Sequence, residues 1–441
     1  MSKKEKRFGA AGRPALMSLL VLVSIICAGA SAENLDLCGC KEHPQSLGDF
    51  DPARQESWPP GSVMNDSKQI LTIPLPPDGV LIFNSFNASP WGKRRDYQIR
   101  FEKNAGNTPV TLLAAGDITI GPYVTLYLAG NDGSSGNVHI NGRGGAPGPG
   151  GFRGGDGAYL DVNGANDGGE GQGPGGGAAG IGKEGAATHG SPAKFAGSRD
   201  LRPLIGGSGG GGGASTRSGN CAASGGGGGG GAVLMVANGS ITVDGGINAD
   251  GGRRGPYISD GKCSTYGAYG SGGAIRLVAQ SVVGKGGMSA RGDRGHHRQA
   301  SPGVIRIESL NDDGLRPDWT APPPIRTNVI GPVVNPVRSE VAITAIAGQA
   351  VPEALQGING NVDLIVKAPG AVKVQVLTRG VPAGTTVEVA MKPKVGGAAL
   401  KDRAELNASG CNPAGECTAF ISFELPSGTY FAEARATFQT P

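Results

Sequence analysis

The stretch from residue 225 to residue 243 reads GGGGGGGAVLMVANGSITV, and it decides the fold. A second copy of its apolar part reads LLAAGDITI from Leu112 to Ile120, and a third reads LVAQSVV from Leu277 to Val283. Each copy predicts two short strands joined by a tight glycine corner. Strands this short cannot bury both faces alone, so we expect successive copies to stack on one another.

The spacing of the copies predicts which strands become neighbours. Met235 and Leu277 begin equivalent strands and are 42 residues apart, and a further apolar strand follows at Val304–Glu308. A third apolar position ends each copy, at Val124, Ile247 and Met288. Equivalent strands of a stack lie about 4.8 Å apart, so the strands that start at Met235 and Leu277 should pair directly.

Composition excludes several classes of protein. The chain has 81 Gly and 31 Pro in 441 residues, with 17% charged and 5% aromatic side chains, so one large apolar core is not expected. Collagen is excluded because the glycines come in uneven runs, and simple disorder is excluded because β-rich runs such as Val233–Ala237 interrupt them.

The first 32 residues have the pattern of a signal peptide. A basic start with Lys3 and Arg7 precedes an apolar stretch from Ala15 to Ala28, and Ala30–Ala32 forms a small-residue cleavage site. About fourteen apolar residues are too few to span a bilayer, so no membrane span is expected after cleavage. Cleavage lowers Lys+Arg from 40 to 35 and Asp+Glu from 36 to 35, which leaves a neutral chain with no basic surface for nucleic acid. We therefore expect a protein that is secreted or held at the cell surface.

Export makes disulfides the expected state of the cysteines. Cys221 and Cys263 are 42 residues apart, the same spacing as Met235 and Leu277, so we expect them to join adjacent passes of the stack. Cys411 and Cys417 should close a local loop. Cys38 and Cys40 are separated only by Gly39, which favours partners elsewhere.

The sequence predicts an all-β fold, a glycine-rich parallel β-solenoid followed by a C-terminal β-sandwich of the Ig-like kind. The expected parts are a signal peptide (1–32), an N-terminal cap (33–100), the solenoid (101–310), a Pro-rich linker (311–338) and the sandwich (339–441). Pro426–Tyr430 should form a corner in which the Tyr430 hydroxyl bonds back to the turn. The sandwich strands are expected at Val341–Ile346, Val362–Val366, Val372–Leu377, Thr385–Ala390, Thr418–Phe423 and Phe431–Phe438.

The glycine-rich region from 142 to 231 holds 37 glycines in 90 residues and fits two structures. One is a bundle of polyglycine II segments, in which only glycine lets the backbones approach closely enough to exchange hydrogen bonds. The other is a set of floppy excursions between the repeat copies. The sequence alone leaves both open.

The chain resembles glycine-rich exported proteins of environmental bacteria over about residues 78–308. This resemblance implies export and a repetitive β-fold, and it carries no catalytic signature. It rests on Asn107–Leu113, Pro203–Gly213, Gly225–Ala237, Gly272–Ala279 and Gly303–Ile307.

The motifs that suggest chemistry are all incomplete. Gly177–Lys183 resembles a phosphate-binding loop, but Glu184 replaces the required Ser or Thr. Gly154–Tyr159 and Gly168–Gly173 lack the Asp that a calcium-binding repeat needs, which leaves Asp156, Asp161 and Asp167 as calcium ligands only from a loop. Arg291–Asp293 is an incidental RGD. The five histidines (His43, His139, His189, His296, His297) lack the spacing of a metal site. We therefore expect no metal, no cofactor and no catalytic residue.

The expected function is structural or adhesive, with extracellular polysaccharide or cell-envelope components as partners. One alternative is a polysaccharide lyase or hydrolase on the same scaffold, which would need paired carboxylates. The other is a carbohydrate-binding module with Trp319 and Tyr430 as stacking residues. The outward positions expected on the strands carry no acidic pair: Thr119, Thr242, Asn248, Arg276, Ser289 and Arg306.

Overall fold

The structure, a computed structural model, describes sixteen stretches of the chain. They are residues 36–40, 46–92, 96–136, 140–159, 166–182, 188–215, 222–256, 265–292, 299–311, 314–316, 319–333, 340–352, 362–366, 370–393, 399–412 and 416–437. None of these residues lies in an α-helix; they include 26 strands and the 3-10 turns Gln55–Ser57 and Ala408–Gly410. The predicted all-β class is confirmed for this part of the chain.

Three sheets of parallel strands occupy residues 49–327. Sheet A contains β1 (Asp49–Phe50), β5 (Ser85–Ala88), β8 (Ile118–Ile120), β11 (Ser240–Val243), β14 (Ser281–Gly284) and β17 (Gly314–Leu315). Sheet B contains β2 (Val63–Asn65), β3 (Ile70–Pro74), β6 (Tyr97–Glu102), β9 (Val124–Tyr127), β12 (Gly246–Asn248), β15 (Gly287–Ser289) and β18 (Thr320–Ala321). Sheet C contains β4 (Val80–Phe83), β7 (Val110–Ala114), β10 (Ala232–Ala237), β13 (Ala274–Ala279), β16 (Val304–Ser309) and β19 (Ile325–Thr327). Only the β2–β3 pair is antiparallel among the described strands of these sheets.

From β4 to β19 the chain visits sheets C, A and B in a fixed order, so each pass adds one strand to every sheet. Met235 lies opposite Leu277 in a parallel pair, and Leu112 lies opposite Met235 on the other side. The predicted pairing of these strands is confirmed. Alternate residues of all three sheets point into one apolar core, which includes Phe83, Tyr97 and Ile275.

Each pass has three strands rather than the two that the sequence predicted, because the third apolar position belongs to a strand of its own in sheet B. Ile247 lies opposite Met288, as expected, but its partner in the preceding pass is Leu126 rather than Val124. The corner before β9 contains Tyr123 at a positive φ of 64°, and both Val124 and Leu126 are buried in the core. The sequence alignment of Ile247 with Val124, the first apolar residue after the corner, is therefore two residues out of register.

The same sheets extend beyond the boundaries expected from composition. Strands β1–β6 precede residue 103, in the segment expected to form a separate cap. Strands β17–β19 lie in the Pro-rich segment expected to be a linker, and they pair with β14, β15 and β16. Pro322–Pro324 lie between β18 and β19. No strand hydrogen bond is lost there through the absence of their N–H groups.

Two antiparallel sheets form the C-terminal region. One contains β20 (Glu340–Ile346), β21 (Gln349–Ala350), β22 (Gly370–Arg379) and β25 (Glu416–Leu425), and the other contains β23 (Thr386–Pro393), β24 (Leu400–Glu405) and β26 (Tyr430–Ala436). The Tyr430 hydroxyl donates a hydrogen bond to the Pro426 carbonyl oxygen at 2.9 Å, as predicted. The predicted strand at Val362–Val366 is wrong, and β24 was missed because its polar, exposed residues show no alternating pattern.

The glycine run 225–231 is surrounded by other backbone segments. Its N–H groups donate in rotation to three segments, so that every third residue bonds to the same one. The donor–acceptor pairs are Gly225–Ser134, Gly226–Gly155, Gly227–Ala268, Gly228–Asn131, Gly229–Phe152, Gly230–Ser271 and Gly231–Leu128. Its carbonyls accept from three further segments in the same rotation, from Gly145, Gly148, Gly207, Gly210, Gly252 and Gly255.

The glycine run 206–213 is the second such centre. Gly209 and Gly212 donate to Gln172 and Gly169, and the carbonyls of the same two glycines accept from Gly177 and Gly180. Peripheral segments carry glycine at every third position where they face a centre, as at Gly130, Gly133 and Gly136. An added Cβ at Gly130 or Gly133 would lie 2.3 or 2.4 Å from a carbonyl oxygen of the run 225–231, and one at Gly136 would lie 2.5 Å from the Ala222 carbonyl oxygen just before it.

Candidate functional site

The outer face of sheet B carries two straight rows of side chains, because the strands pair in register. The inner row runs from Gln98 through Thr125 and Gly246 to Gly287. The pairing of Met288 with Thr320 places Trp319 next in this row. Ile99, Leu126, Ile247 and Met288 alternate with these residues and lie in the core, so the two rows point outward.

Trp319 lies at the end of the inner row, with its indole ring against Gly287. A Cβ added to Gly287 would lie 2.2 Å from Trp319 Cε2, so the indole ring occupies the space that a side chain would take. Gly287 is buried, whereas Trp319 remains 48% exposed. The ring therefore contacts the sheet at Gly287, while about half of the side chain stays exposed.

The outer row supplies polar groups beside this ring, and it consists of Arg100, Tyr127, Asn248 and Ser289. Arg100 lies over the Tyr127 ring, 4.5 Å from its centroid, and donates to Gln98 Oε1 at 2.8 and 3.0 Å. The Arg291 guanidinium is 5.6 Å from the centroid of the Trp319 ring. We call the two rows, with Trp319 and Arg291, the sheet B trough.

A buried charge cluster occupies the outer face of sheet C. Arg276 donates to Glu308 in a bidentate pair, from Nε to Oε1 and from Nη2 to Oε2, both at 2.9 Å. Arg306 Nε also donates to Oε1, at 2.7 Å, and the Gly331 N–H donates to Oε2 at 2.8 Å. Arg276 and Glu308 are 3% and 1% exposed. Their hydrogen bonds to Gly331 fasten the segment after β19 onto this face.

The charge cluster holds Glu308 as a carboxylate. Burial raises the pKa of its side chain, but the hydrogen bonds from Arg276, Arg306 and Gly331 outweigh burial and keep the pKa below its ordinary value. A carboxylate that accepts from two guanidinium groups and a backbone N–H is poorly suited to move a proton at neutral pH. We assign the cluster a structural role.

The predicted disulfides have three outcomes. Cys411 and Cys417 are joined, as predicted, across a bridge with Cα atoms 3.9 Å apart. Cys38 is joined to Cys40, against the expectation of separate partners, since their Cα atoms are 5.1 Å apart and both pack on Leu113, Leu234 and Val236 of sheet C. Cys221 and Cys263 lie outside the described residues, so their pairing stays a prediction.

The remaining candidate residues have structural partners where they are described. Gly177 and Gly180 of the phosphate-loop match bond to Gly209 and Gly212 of the second glycine run. Asp156 accepts from Arg153 and from the Gly144 N–H, and Asp167 accepts from the Gly182 N–H. No group of three metal-ligating side chains occurs among the residues that the structure describes. His43, His139, Asp161, Asp293, His296 and His297 lie outside those residues.

The outward positions predicted on the strands differ in exposure. Thr119, Thr242, Asn248 and Arg306 are half-buried, whereas Arg276 and Ser289 are buried. Sequence reasoning missed Glu308, although its place one residue from Ile307 and two from Arg306 puts both charges on the same side of a strand. Sequence reasoning also grouped Trp319 with Tyr430 as stacking residues of one carbohydrate-binding module, whereas the Trp319 ring lies on Gly287 of sheet B and Tyr430 bonds to Pro426 in the sandwich.

Comparison with protein-family models, curated proteins and solved structures found no match to this chain. Among the described residues, no helix has the length and apolar character needed to cross a membrane.

Proposed function

We propose that the protein is an exported structural or adhesive scaffold without catalytic activity, built as a glycine-rich parallel β-solenoid with polyglycine II excursions. The fixed visiting order of sheets C, A and B supports the solenoid. The observation that carries the proposal is the threefold rotation of hydrogen bonds around Gly225–Gly231. A chain with three residues per turn directs successive N–H groups to three different neighbours, which is the geometry of polyglycine II.

Such a bundle suits a scaffold outside the cell. Most of the described backbone groups of its two glycine runs bond to other backbone groups of the chain, so the order of the bundle comes from the chain itself. Several excursions meet at their far ends: Ser215 donates to the Tyr159 carbonyl, Asn141 to the Gly157 carbonyl, and the Ser215 N–H to the Asn166 carbonyl. A rigid bundle of this kind would present that end away from the sheets.

The alternative of a polysaccharide lyase or hydrolase would need two carboxylates placed as an acid–base pair, whereas the carboxylates of the charge cluster and of the glycine bundle are held in hydrogen bonds. Glu308 is held by two arginines, and Asp156 is held by Arg153 and Gly144. Incubation of the purified protein with soluble polysaccharides should therefore release no reducing ends and no unsaturated products. Release at a rate above that of heat-inactivated protein would overturn the non-catalytic proposal.

Cell fractionation tests the location and role together. An antibody against the sandwich should detect a chain that begins near Glu33 in the medium or on intact cells, where added protease removes it. Cells that lack the protein should attach or aggregate less than cells that carry it. A chain that stays inside the cell with residues 1–32 attached would contradict the proposal.

A further inference from the structure

We propose that the sheet B trough binds a neutral polysaccharide chain, with the Trp319 ring as its stacking platform. This inference rests on the proposed function, because it names what a surface scaffold would hold.

The shape depends on Gly246 and Gly287. An added Cβ at either position would meet side-chain atoms, not the backbone atoms that surround most glycines of the bundle. Most glycines of the bundle face backbone atoms closer than 3 Å to an added Cβ, but at Gly246 the nearest atom is the flexible Thr125 Oγ1 at 3.1 Å. Backbone packing therefore does not require glycine at 246. Because Gly246 has no side chain, the inner row has a gap between the Thr125 side chain and the Trp319 ring, and we call this gap the floor of the trough. The Trp319 ring occupies the space above Gly287.

The length of the trough favours a polymer over a single sugar. It crosses β6, β9, β12, β15 and β18 in direct register. Strands are spaced at about 4.8 Å, so the trough extends roughly 19 Å across the sheet. Each step along it presents a new pair of residues, one from each row, which suits a ligand with repeating units.

The walls have the chemistry that a sugar ring needs. A flat indole ring with an open side stacks on the C–H groups of a pyranose, while planar amides and guanidinium groups bond to its hydroxyls. Gln98 in the inner row and Arg100 and Asn248 in the outer row supply such groups on the same face as the Trp319 ring. Each is half-buried, which limits the freedom that binding would have to remove.

The charge of the face favours a neutral chain over an acidic one. Arg100 and Arg291 are accompanied by Glu102, two residues further along β6, and by Asp250, which accepts from the Arg291 N–H at 2.7 Å. Two cations and two carboxylates leave no excess positive charge to attract uronic acids. A neutral polysaccharide avoids the cost of bringing further carboxylates to Glu102 and Asp250.

Affinity gel electrophoresis of the purified protein tests this inference with hydroxyethylcellulose, xylan, mannan and dextran as neutral probes and polygalacturonate as the acidic one. At least one neutral polymer should retard the protein. Trp319→Ala should weaken that retardation at least tenfold, and Gly246→Gln, which fills the floor and leaves Trp319 in place, should do the same. Trp319→Phe keeps a flat ring and should lose only about threefold.

Phe420→Ala is the matched control, because Phe420 is a comparably exposed aromatic residue (51%) on the sandwich; it should not change retardation. Unfolding by urea checks that each variant is folded, and Gly246→Gln tests the inference even if Trp319→Ala fails to fold. Equal retardation of Gly246→Gln and the unaltered protein, retardation by polygalacturonate alone, or none by the four neutral polymers would overturn it. A protein found on the cell surface but not retarded would leave the proposed scaffold standing and remove only this site.

Discussion

Glycine at the centre of the bundle is required by what surrounds it rather than by its own backbone angles. Gly228 donates to the Asn131 carbonyl and accepts from the Gly252 N–H, and a Cβ at this position would lie 2.3 Å from the Ala146 carbonyl oxygen. No rotation of a methyl group relieves a contact with backbone. The neighbouring segments can therefore form these hydrogen bonds only if residue 228 has no side chain.

Gly228→Ala should destabilise the protein by at least about 2–3 kcal/mol, since overpacking at a fully enclosed site costs this much or more. Urea unfolding measures the change. Gly246→Ala is the control, because the nearest atom to its Cβ belongs to the Thr125 side chain, which can move; its free energy of unfolding should stay within about 0.5 kcal/mol. Similar values for the two variants would refute the close packing of the bundle.

Glu308 makes stability depend on pH. Its pKa is lower in the folded state than the ordinary carboxyl value near 4.3, so its contribution is complete above that value and is lost as the pH falls through the folded-state pKa. Glu308→Gln should cost about 3 kcal/mol at pH 7, and the difference from the unaltered protein should shrink toward pH 3. Glu433→Gln breaks an exposed pair with Arg435 and should cost less than about 0.5 kcal/mol. A pH-independent difference for Glu308→Gln would count against the carboxylate's role.

At the scale of elements, the strands were predictable and the glycine segments were only partly so. The apolar copies at Leu112, Met235 and Leu277 predicted three paired strands, because equivalent residues of a repeat lie side by side. Glycine spacing held a further signal that the reading of uneven runs overlooked: Gly142, Gly145, Gly148, Gly151, Gly154 and Gly157 recur at every third position. Each glycine run is surrounded by segments that lie far from it in the sequence. The local sequence pattern does not show which segments these are.

Hydrogen exchange distinguishes a packed bundle from floppy excursions. The amides of Gly226, Gly227 and Gly229 are bonded to Gly155, Ala268 and Phe152, and these glycines are buried. They should exchange as slowly as the amides of β10 and far more slowly than the amide of Gly428 in an exposed turn. Exchange of the glycine run at the rate of Gly428 would exclude the bundle.

The Cys221–Cys263 disulfide is a prediction at the same scale. The described strands support its spacing, since Ala232 pairs with Ala274 and Val233 with Ile275, each 42 residues apart. Peptide mapping without reduction should recover the two cysteines in one linked peptide. Replacing both by Ser should lower the free energy of unfolding by about 2–4 kcal/mol. A free thiol at either position would disprove the pairing.

At the scale of the whole molecule, two separate apolar cores stabilise two kinds of β-structure. The core of the parallel sheets includes Phe83 and Ile275, whereas the core of the antiparallel sheets includes Val376, Val389 and Ile421, and the two share no residue. Composition predicted this division, because glycine is abundant before residue 310 and sparse after residue 340. The strands on either side of the expected boundaries were not predictable, since short strands such as β17 and β18 acquire their order from the pass already in place.

Separate cores predict two unfolding transitions in calorimetry, because each set of sheets buries its own apolar residues. Ile421→Val removes one methylene from the sandwich core and should cost about 1 kcal/mol, which lowers the Tm of one transition by roughly 4–8 °C. Gly228→Ala should lower only the other transition. A matched control, Ile305→Val in the parallel-sheet core, should move the same transition as Gly228→Ala. One transition shifted by all three substitutions would show that the two cores unfold as a single cooperative body.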